Sequence, residues 1–301
     1  MKVFITGGTG FVGRRLSSML LELGHELMIV TRSARGKTAG AGIEFVEGDP
    51  VRPGAWQERV RDADWIINLA GAPVSQRWTA SVKKELRESR VLTTQNLVDA
   101  LPDGWGKTFF STSAIGYYGF HKDEELYEDA APGADFLGRL SVEWEGEAHK
   151  AKQKGARVVI TRFGIVIGRG GGLLGSIVPV FKKFLGGPVG SGKQWMSWVH
   201  IDDLAEAFPF LLSRQHVSGP VNFTAPNPVR NGDFAKILGK VLNVPAVVPT
   251  PGFAMKLALG EFGSVVLEGQ KVLPGVLARE GFPFRYPYLE GALRAALADE
   301  I

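Results

Sequence analysis

The sequence predicts an α/β protein, a doubly wound parallel sheet followed by a smaller C-terminal lobe, and three observations predict it. Short apolar strands alternate with helical segments through the first half of the 301-residue chain. A glycine turn, Gly7-Gly8-Thr9-Gly10-Phe11-Val12-Gly13, joins the first strand to the first helix. After Gly164 the alternation becomes irregular and glycine-rich.

Lys2 to Thr6 is β-rich and ends in glycines, and Phe11 to Leu23 carries apolar residues at helical spacing, with Gly24 as the C-terminal stop. Leu27 to Val30 is the next expected strand, which completes a βαβ unit with its right-handed crossover. Strands are expected at Ile43 to Val46, Trp65 to Leu69, Thr108 to Ser111 and Arg157 to Thr161, with helical segments at Trp78 to Leu101 and Leu140 to Lys154. Beyond Gly164, a glycine-rich loop is expected from Gly168 to Gly175, a short helix from Pro179 to Leu185 and another loop from Gly186 to Lys193. Val221 to Thr224 reads as a strand, while Phe234 to Leu242, Ala254 to Leu259 and Leu289 to Ala298 read as helices. The expected division is a dinucleotide-binding domain over 1–165 and a mainly substrate-side lobe over 166–301, with freedom to interleave.

A hydrophobic content of 45% supports a sizeable core. Lys and Arg outnumber Asp and Glu by 35 to 31, but the charges are interleaved, as in Arg59-Val60-Arg61-Asp62-Ala63-Asp64. That pattern describes a solvated surface rather than a nucleic-acid footprint. The chain has no cysteine, which removes disulfides, thiolate catalysis and zinc ribbons and fits a reducing cytosol. Met1-Lys2 runs straight into a strand with no apolar leader, and no apolar stretch approaches the roughly 20 residues that span a bilayer. The expectation is a cytoplasmic protein, monomer or homodimer, without nucleic-acid or membrane partners.

The glycine turn carries the clearest chemistry. Gly7 permits a tight turn, Gly10 lets backbone approach a pyrophosphate, and Gly13 lets the helix lie close to the sheet. The helix N-terminus at Phe11 and Val12 supplies amide donors and partial positive charge for phosphates. The end of the second strand, Val30-Thr31-Arg32-Ser33-Ala34-Arg35, has no carboxylate to bond a ribose 2′-hydroxyl. Arg32 can instead pair with a 2′-phosphate through a charge-assisted fork, which favours NADP(H) over NAD; the alternative is an ordinary surface arginine. Asp49 ends the third strand and can accept from the adenine amino group. Leu69, Ala70 and Gly71 end the fourth, where small residues let backbone pass the ribose and pyrophosphate. Plain turn chemistry is the alternative for both.

With Gly48-Asp49, Asn68-Leu69-Ala70-Gly71, Ser113-Ala114-Ile115-Gly116-Tyr117-Tyr118-Gly119 and Trp198-Val199-His200-Ile201-Asp202-Asp203 following in order, the chain resembles the extended short-chain dehydrogenase/reductases nearly end to end. More narrowly it resembles their atypical, NAD-dependent epimerase-like branch, the YfcH-like proteins. Arg77-Trp78, Trp144-Glu145, Gln194-Trp195-Met196-Ser197-Trp198 and Ala225-Pro226-Asn227-Pro228 carry that likeness. The resemblance implies a Rossmann-type domain, a nicotinamide cofactor and a C-terminal lobe closing over the cleft.

Two departures stand against it. The family's catalytic helix carries Tyr-x-x-x-Lys, in which lysine lowers the tyrosine pKa for proton transfer; alignment on Glu145 puts Leu137 and Ser141 at those positions. Ser113 occupies the place of the family's carbonyl-contacting hydroxyl, and Tyr117, Tyr118 or a desolvated Glu145 are the candidate substitute acids, Glu145 being otherwise a surface or capping acid. Where nucleotide-sugar epimerases place a diphosphate-gripping arginine, Met196 stands between Trp195 and Trp198, which implies either an apolar substrate pocket or aromatics that pack the lobe.

Other signals are discounted. Gly187 to Lys193 spells G-x-x-x-x-G-K, but Gln194 replaces the metal-binding hydroxyl. The histidines have no ligand spacing, so no metal site is expected, and His200 is assigned to the junction between lobe and core. The leading expectation is an NADP(H)-dependent reductase of a small, fairly apolar carbonyl or alcohol. The alternatives are a catalytically weak or inactive NADPH-binding sensor or partner protein, and an epimerase acting by transient oxidation. Arg32→Ala should weaken NADPH binding far more than NADH binding in a calorimetric titration; an equal loss removes the 2′-phosphate assignment.

Overall fold

The computed structural model describes residues 1–36 and 40–298. Its centre is a seven-stranded sheet of β1 (Lys2–Thr6), β2 (Glu26–Thr31), β3 (Ile43–Glu47), β4 (Trp65–Asn68), β5 (Thr108–Ala114), β6 (Arg157–Phe163) and β7 (Gly219–Phe223). The strand order is β7-β6-β5-β4-β1-β2-β3, and every neighbouring pair is parallel. The chain builds outward from β1 through β2 and β3, then returns to the other side of β1 with β4. The crevice between the β1 and β4 loops is therefore the topological switch point, where open α/β sheets bind ligands.

Successive residues of β1 point to opposite faces, and both faces are covered. Val3 and Ile5 join Leu16 and Leu20 of α1 (Phe11–Glu22) and Leu204 and Phe208 of α5 (Ile201–Leu212) in one core. Phe4 joins Ile66, Phe109 and Leu97 of α2 (Ala80–Asp99), with Ala148 of α3 (Phe136–His149), in the other. The first helix stops where the sequence places it: Gly24 sits just beyond the C-cap Leu23 with φ +80°, a conformation only glycine adopts without strain.

The second lobe has its own core around Trp198, Leu174 and Phe181 of α4 (Gly172–Lys182), Leu238 of α6 (Asn231–Leu242) and Leu293 near the C-terminus. Helix α4 begins inside the segment expected as a glycine loop and ends before the expected Pro179–Leu185 helix is complete. Burial of Leu174, Val178 and Phe181 on one face outweighs the weak helix propensity of its glycines. Helix α5 had no counterpart in the expected elements. Together with β7 it returns to the sheet of the first lobe, so the chain crosses the division near residue 165 more than once. Helices α7 (Gly252–Leu259) and α8 (Glu261–Leu267) reach back to the start of α2, where Phe262 packs on Trp78 and Glu261 pairs with Lys83. Helices α9 (Gly275–Arg279) and α10 (Leu289–Ala296) complete the lobe. Among the described residues no helix is long and apolar enough to cross a membrane.

Candidate functional site

The two loops flanking the switch point are in van der Waals contact, and glycine is required for it. Gly7 has φ +71°, and a Cβ there would lie 2.7 Å from the carbonyl carbon of Leu69. The Leu69 amide donates to the Thr6 carbonyl at 3.0 Å, continuing the β1–β4 ladder into the loops. A Cβ on Gly13 would lie 2.3 Å from the Gly7 carbonyl oxygen, so the helix packs directly on the turn. Gly8, which the sequence pattern did not single out, is also crowded: its Cβ would meet the Ile29 side chain of β2 at 2.8 Å.

Gly10 is the N-cap of α1, contributes no capping side chain, and is followed by no acid in the first turn. The amides at Phe11 and Val12 thus stand at an open, electropositive helix start. The glycines of the segment 168–172 have a reason that composition did not reveal. The Phe11 ring lies against them, and a Cβ on Gly171 would sit 2.4 Å from that ring. The second lobe is thereby laid against the first turn of α1.

Arg32 is exposed at the end of β2 and, among the described residues, has no ion-pair partner; Arg35 is exposed beside it. Asp49 is half-buried and forms a turn, its Oδ1 accepting from the Val51 amide at 3.2 Å. Leu69, Ala70 and Gly71 line the crevice side of β4, and the Arg90 guanidinium backs Gly71 closely.

At the end of β5 the arrangement differs from the expected one. Arg162 of β6 is buried and forms a two-point ion pair with Glu145 of α3, Nε to Oε1 at 2.9 Å and Nη2 to Oε2 at 2.8 Å. Ser113 donates to the same Glu145 Oε1 at 2.6 Å. The other Arg162 nitrogen donates to Tyr118 Oη at 2.9 Å and to the Glu128 carbonyl, and Tyr118 donates to Asn222 Oδ1 of β7 at 2.7 Å. Burial of Arg162 opposes its charge, but the hydrogen bonds and charge of Glu145 overcome this and hold its pKa above the ordinary value. Burial likewise pushes the Tyr118 hydroxyl up to about 12, against the pull of Arg162.

Ser113 and Tyr118, both expected near the reacting carbonyl, are members of this network. Each hydroxyl is buried and its proton is committed to a protein acceptor. Glu145 is neither a surface acid nor a free proton donor, because its two oxygens are occupied by Arg162. Tyr117 is different: half-buried, it lays its ring over the Arg162 guanidinium at 3.5 Å, and its hydroxyl has no hydrogen-bond partner among the described residues. Leu137 faces Gly116 at the start of α3, and Ser141 is buried one turn on, so no tyrosine–lysine relay exists there.

The apolar-pocket expectation is also corrected. Trp198 is fully buried in the lobe core with its indole N–H on the Asn227 carbonyl, and Met196 is buried with it. Trp195 bonds Asp123 and is covered by Arg230, so these side chains build the lobe. His200 caps α5 by accepting from the Asp202 amide at 3.2 Å, lies 4.0 Å from the Tyr286 ring, and is pushed down to about 4 by burial, which keeps it neutral. Around Gly187 to Lys193 the chain bridges to Thr250 and enters no helix. Among the described residues no three His, Asp or Glu side chains converge to hold a metal ion.

A parallel sheet with a glycine turn at its switch point defines a Rossmann-type dinucleotide-binding protein. The chain belongs to the NAD dependent epimerase/dehydratase family, which it matches over residues 3–223, and residues 250–296 match a domain of unknown function, DUF1731. It is 41% identical to the chloroplastic epimerase family protein SDR39U1 homolog of Arabidopsis thaliana, over 99% of this chain and 87% of that protein. It is 36% identical to the epimerase family protein YfhF of Bacillus subtilis, over 99% of each. Among solved structures, the human epimerase family protein SDR39U1, crystallised with NADPH, superposes with a TM-score of 0.87 at 32% identity, over 99% of this chain and 100% of that one. The UDP-glucuronic acid 4-epimerase of Bacillus cereus shares the fold, with a TM-score of 0.79 at 18% identity over 100% of this chain and 98% of that one.

The network makes a stability prediction. Glu145→Leu strands a buried guanidinium and should cost about 3–5 kcal/mol in urea unfolding. The double variant Glu145→Leu with Arg162→Met should lose clearly less than the two single losses summed; strict additivity would show that the pair is not coupled.

Proposed function

We propose that the chain binds NADP(H) across the β1/β4 switch point and reduces a small carbonyl compound, with Tyr117 as the proton donor. The observation that carries the cofactor reading is Arg32, exposed and without an acidic partner at the end of a second strand that offers no carboxylate to a ribose. The start of α1 at Gly10, with no capping side chain and no acid in its first turn, fits the diphosphate of such a cofactor. The human relative's crystal structure with NADPH supports the same choice.

In this reading Phe11 and Val12 amides receive the diphosphate, Arg32 the 2′-phosphate, Asp49 the adenine amino group, and Leu69, Ala70 and Gly71 flank the sugar and diphosphate. The bound cofactor supplies the hydride that goes to the carbonyl carbon. Tyr117 Oη gives its proton to the carbonyl oxygen and is reprotonated from water, which its half-exposed position allows. Arg162, fixed by Glu145, lies under the Tyr117 ring and holds it in place by a cation–π contact.

A second reading has its own support. Ser113 and Tyr118 are locked in the buried network, and Leu137 and Ser141 stand where a proton relay would be; both facts suit a protein that binds NADPH and turns over slowly or not at all. Epimerisation by transient oxidation is consistent with the family and draws on the same missing relay.

NADPH oxidation against a panel of carbonyl compounds tests the proposal. Tyr117→Phe should lower kcat by about 10²–10⁴-fold with NADPH affinity unchanged. Unchanged turnover in that variant removes Tyr117 as the donor, and tight NADPH binding by the wild type without turnover favours the second reading.

A further inference from the structure

Burial opposes the charge of Arg90, Arg157 and Arg162 in the first lobe, and the three are satisfied in different ways. Arg162 has the Glu145 carboxylate. Arg157 has no carboxylate, but its donors reach the carbonyls of Leu211, Leu212, Arg214 and Val217 and the hydroxyl of Thr108. Arg90 has neither arrangement. It donates to the Leu86 carbonyl at 3.1 Å and the Ala72 carbonyl at 3.0 Å, with a long 3.5 Å approach to Ser89 Oγ. Its Nε and one Nη2 hydrogen have no acceptor among the described residues, and no carboxylate pairs with it. Burial alone acts on it, lowering its pKa to about 10, so the guanidinium stays charged at neutral pH. Arg90 is half-buried, its charge is neutralised by no described side chain, and its open donors are left for a ligand to fill.

Its position says where such a ligand would lie. The guanidinium packs behind Gly71, whose Cβ would lie 3.1 Å from the guanidinium carbon, and its other face lies 5.4 Å from the Trp144 ring centre. Gly71 itself is exposed at the carboxyl end of β4, at the lip of the crevice. Helix α1, whose amide end suits a diphosphate, packs on one face of the sheet, while α2 and α3, which carry Arg90 and Trp144, pack on the other. Arg90 therefore stands on the α2/α3 side of the sheet and the amide end of α1 on the other.

We infer that Arg90 is an anion-binding residue of the substrate half of the crevice, and that the substrate carries a carboxylate or phosphate that accepts from its two open donors. This deepens the proposed function and rests on its placement of the dinucleotide. It also alters the substrate class, from a fairly apolar carbonyl compound to an acidic one. A planar fork with paired donors suits a two-oxygen acceptor. Trp144, stacked on the guanidinium, is a built-in reporter for its occupancy.

The test titrates inorganic phosphate into the NADPH-loaded protein at constant ionic strength and reads tryptophan fluorescence, with a separate calorimetric titration of NADPH. The expected result is a saturable signal in the wild type, weakened about tenfold or more in Arg90→Gln, with NADPH affinity kept within about twofold. Arg90→Lys keeps the charge and loses the fork; it separates a lost anion site from a collapsed loop and should bind phosphate more weakly than the wild type. Absence of a saturable signal in the wild type, or equal phosphate binding in all three proteins, overturns the inference. A parallel tenfold loss of NADPH affinity in Arg90→Gln, with phosphate competing against NADPH, overturns it too, because the anion would then be the cofactor's own diphosphate. Failure of the wild type to bind NADPH at all is read in the calorimetry and rejects the underlying cofactor reading instead.

Discussion

The Glu145–Arg162 pair organises the end of the sheet on which any chemistry of this protein depends. One carboxylate on α3 and one guanidinium on β6 tie together β5 through Ser113, the turn after it through Tyr118, and β7 through Asn222. Each of these groups is buried, so each needs a partner, and the network provides one for every member. The consequence is functional as well as structural. Hydroxyls that would face a reacting carbonyl in a standard relay are turned inward, and Tyr117, held by its ring on the same guanidinium, is left with its hydroxyl uncommitted.

The crevice follows from a second constraint, the approach of two loops at the switch point. Gly7, Gly8 and Gly13 lack side chains because β4, β2 and the turn itself occupy the space. That space is filled by backbone at Gly7 and Gly13 and by the Ile29 side chain at Gly8, so the glycines alone are evidence of geometry. Chemistry enters with the bare start of α1 and with Arg32. The arginines then differ in setting: Arg32 is exposed, Arg162 is buried and paired, and Arg90 is half-buried without a carboxylate partner among the described residues.

The first βαβ unit was legible because local signals agree there. Apolar runs, a glycine turn, a 3.6-residue period and Gly24 all point to the same path. Later elements were harder. Helix α5 starts at a His-Ile-Asp-Asp segment that reads as a junction, and its place in the first core is decided by Leu204 and Phe208 meeting α1 across two hundred residues of chain. Residues 168–171 form the loop the sequence expects, but the ring its glycines accommodate, Phe11, lies about 160 residues away. Motif alignment found Ser113, Tyr118 and Glu145 but not their engagement, since the cation that binds them lies on another strand. Arg90 carries no motif signal; donors left open beside a missing carboxylate, visible only in three dimensions, set it apart.

Calorimetric titration of the purified 301-residue chain with NADPH and with NADH tests the central claim most directly, because the proposed cofactor site sets Arg32 at the 2′ position of a dinucleotide in the β1/β4 crevice. The account predicts one NADPH per chain, bound clearly more tightly than NADH. Equal affinity for the two would contradict the role of Arg32, and no binding of either would contradict the assignment of the crevice itself.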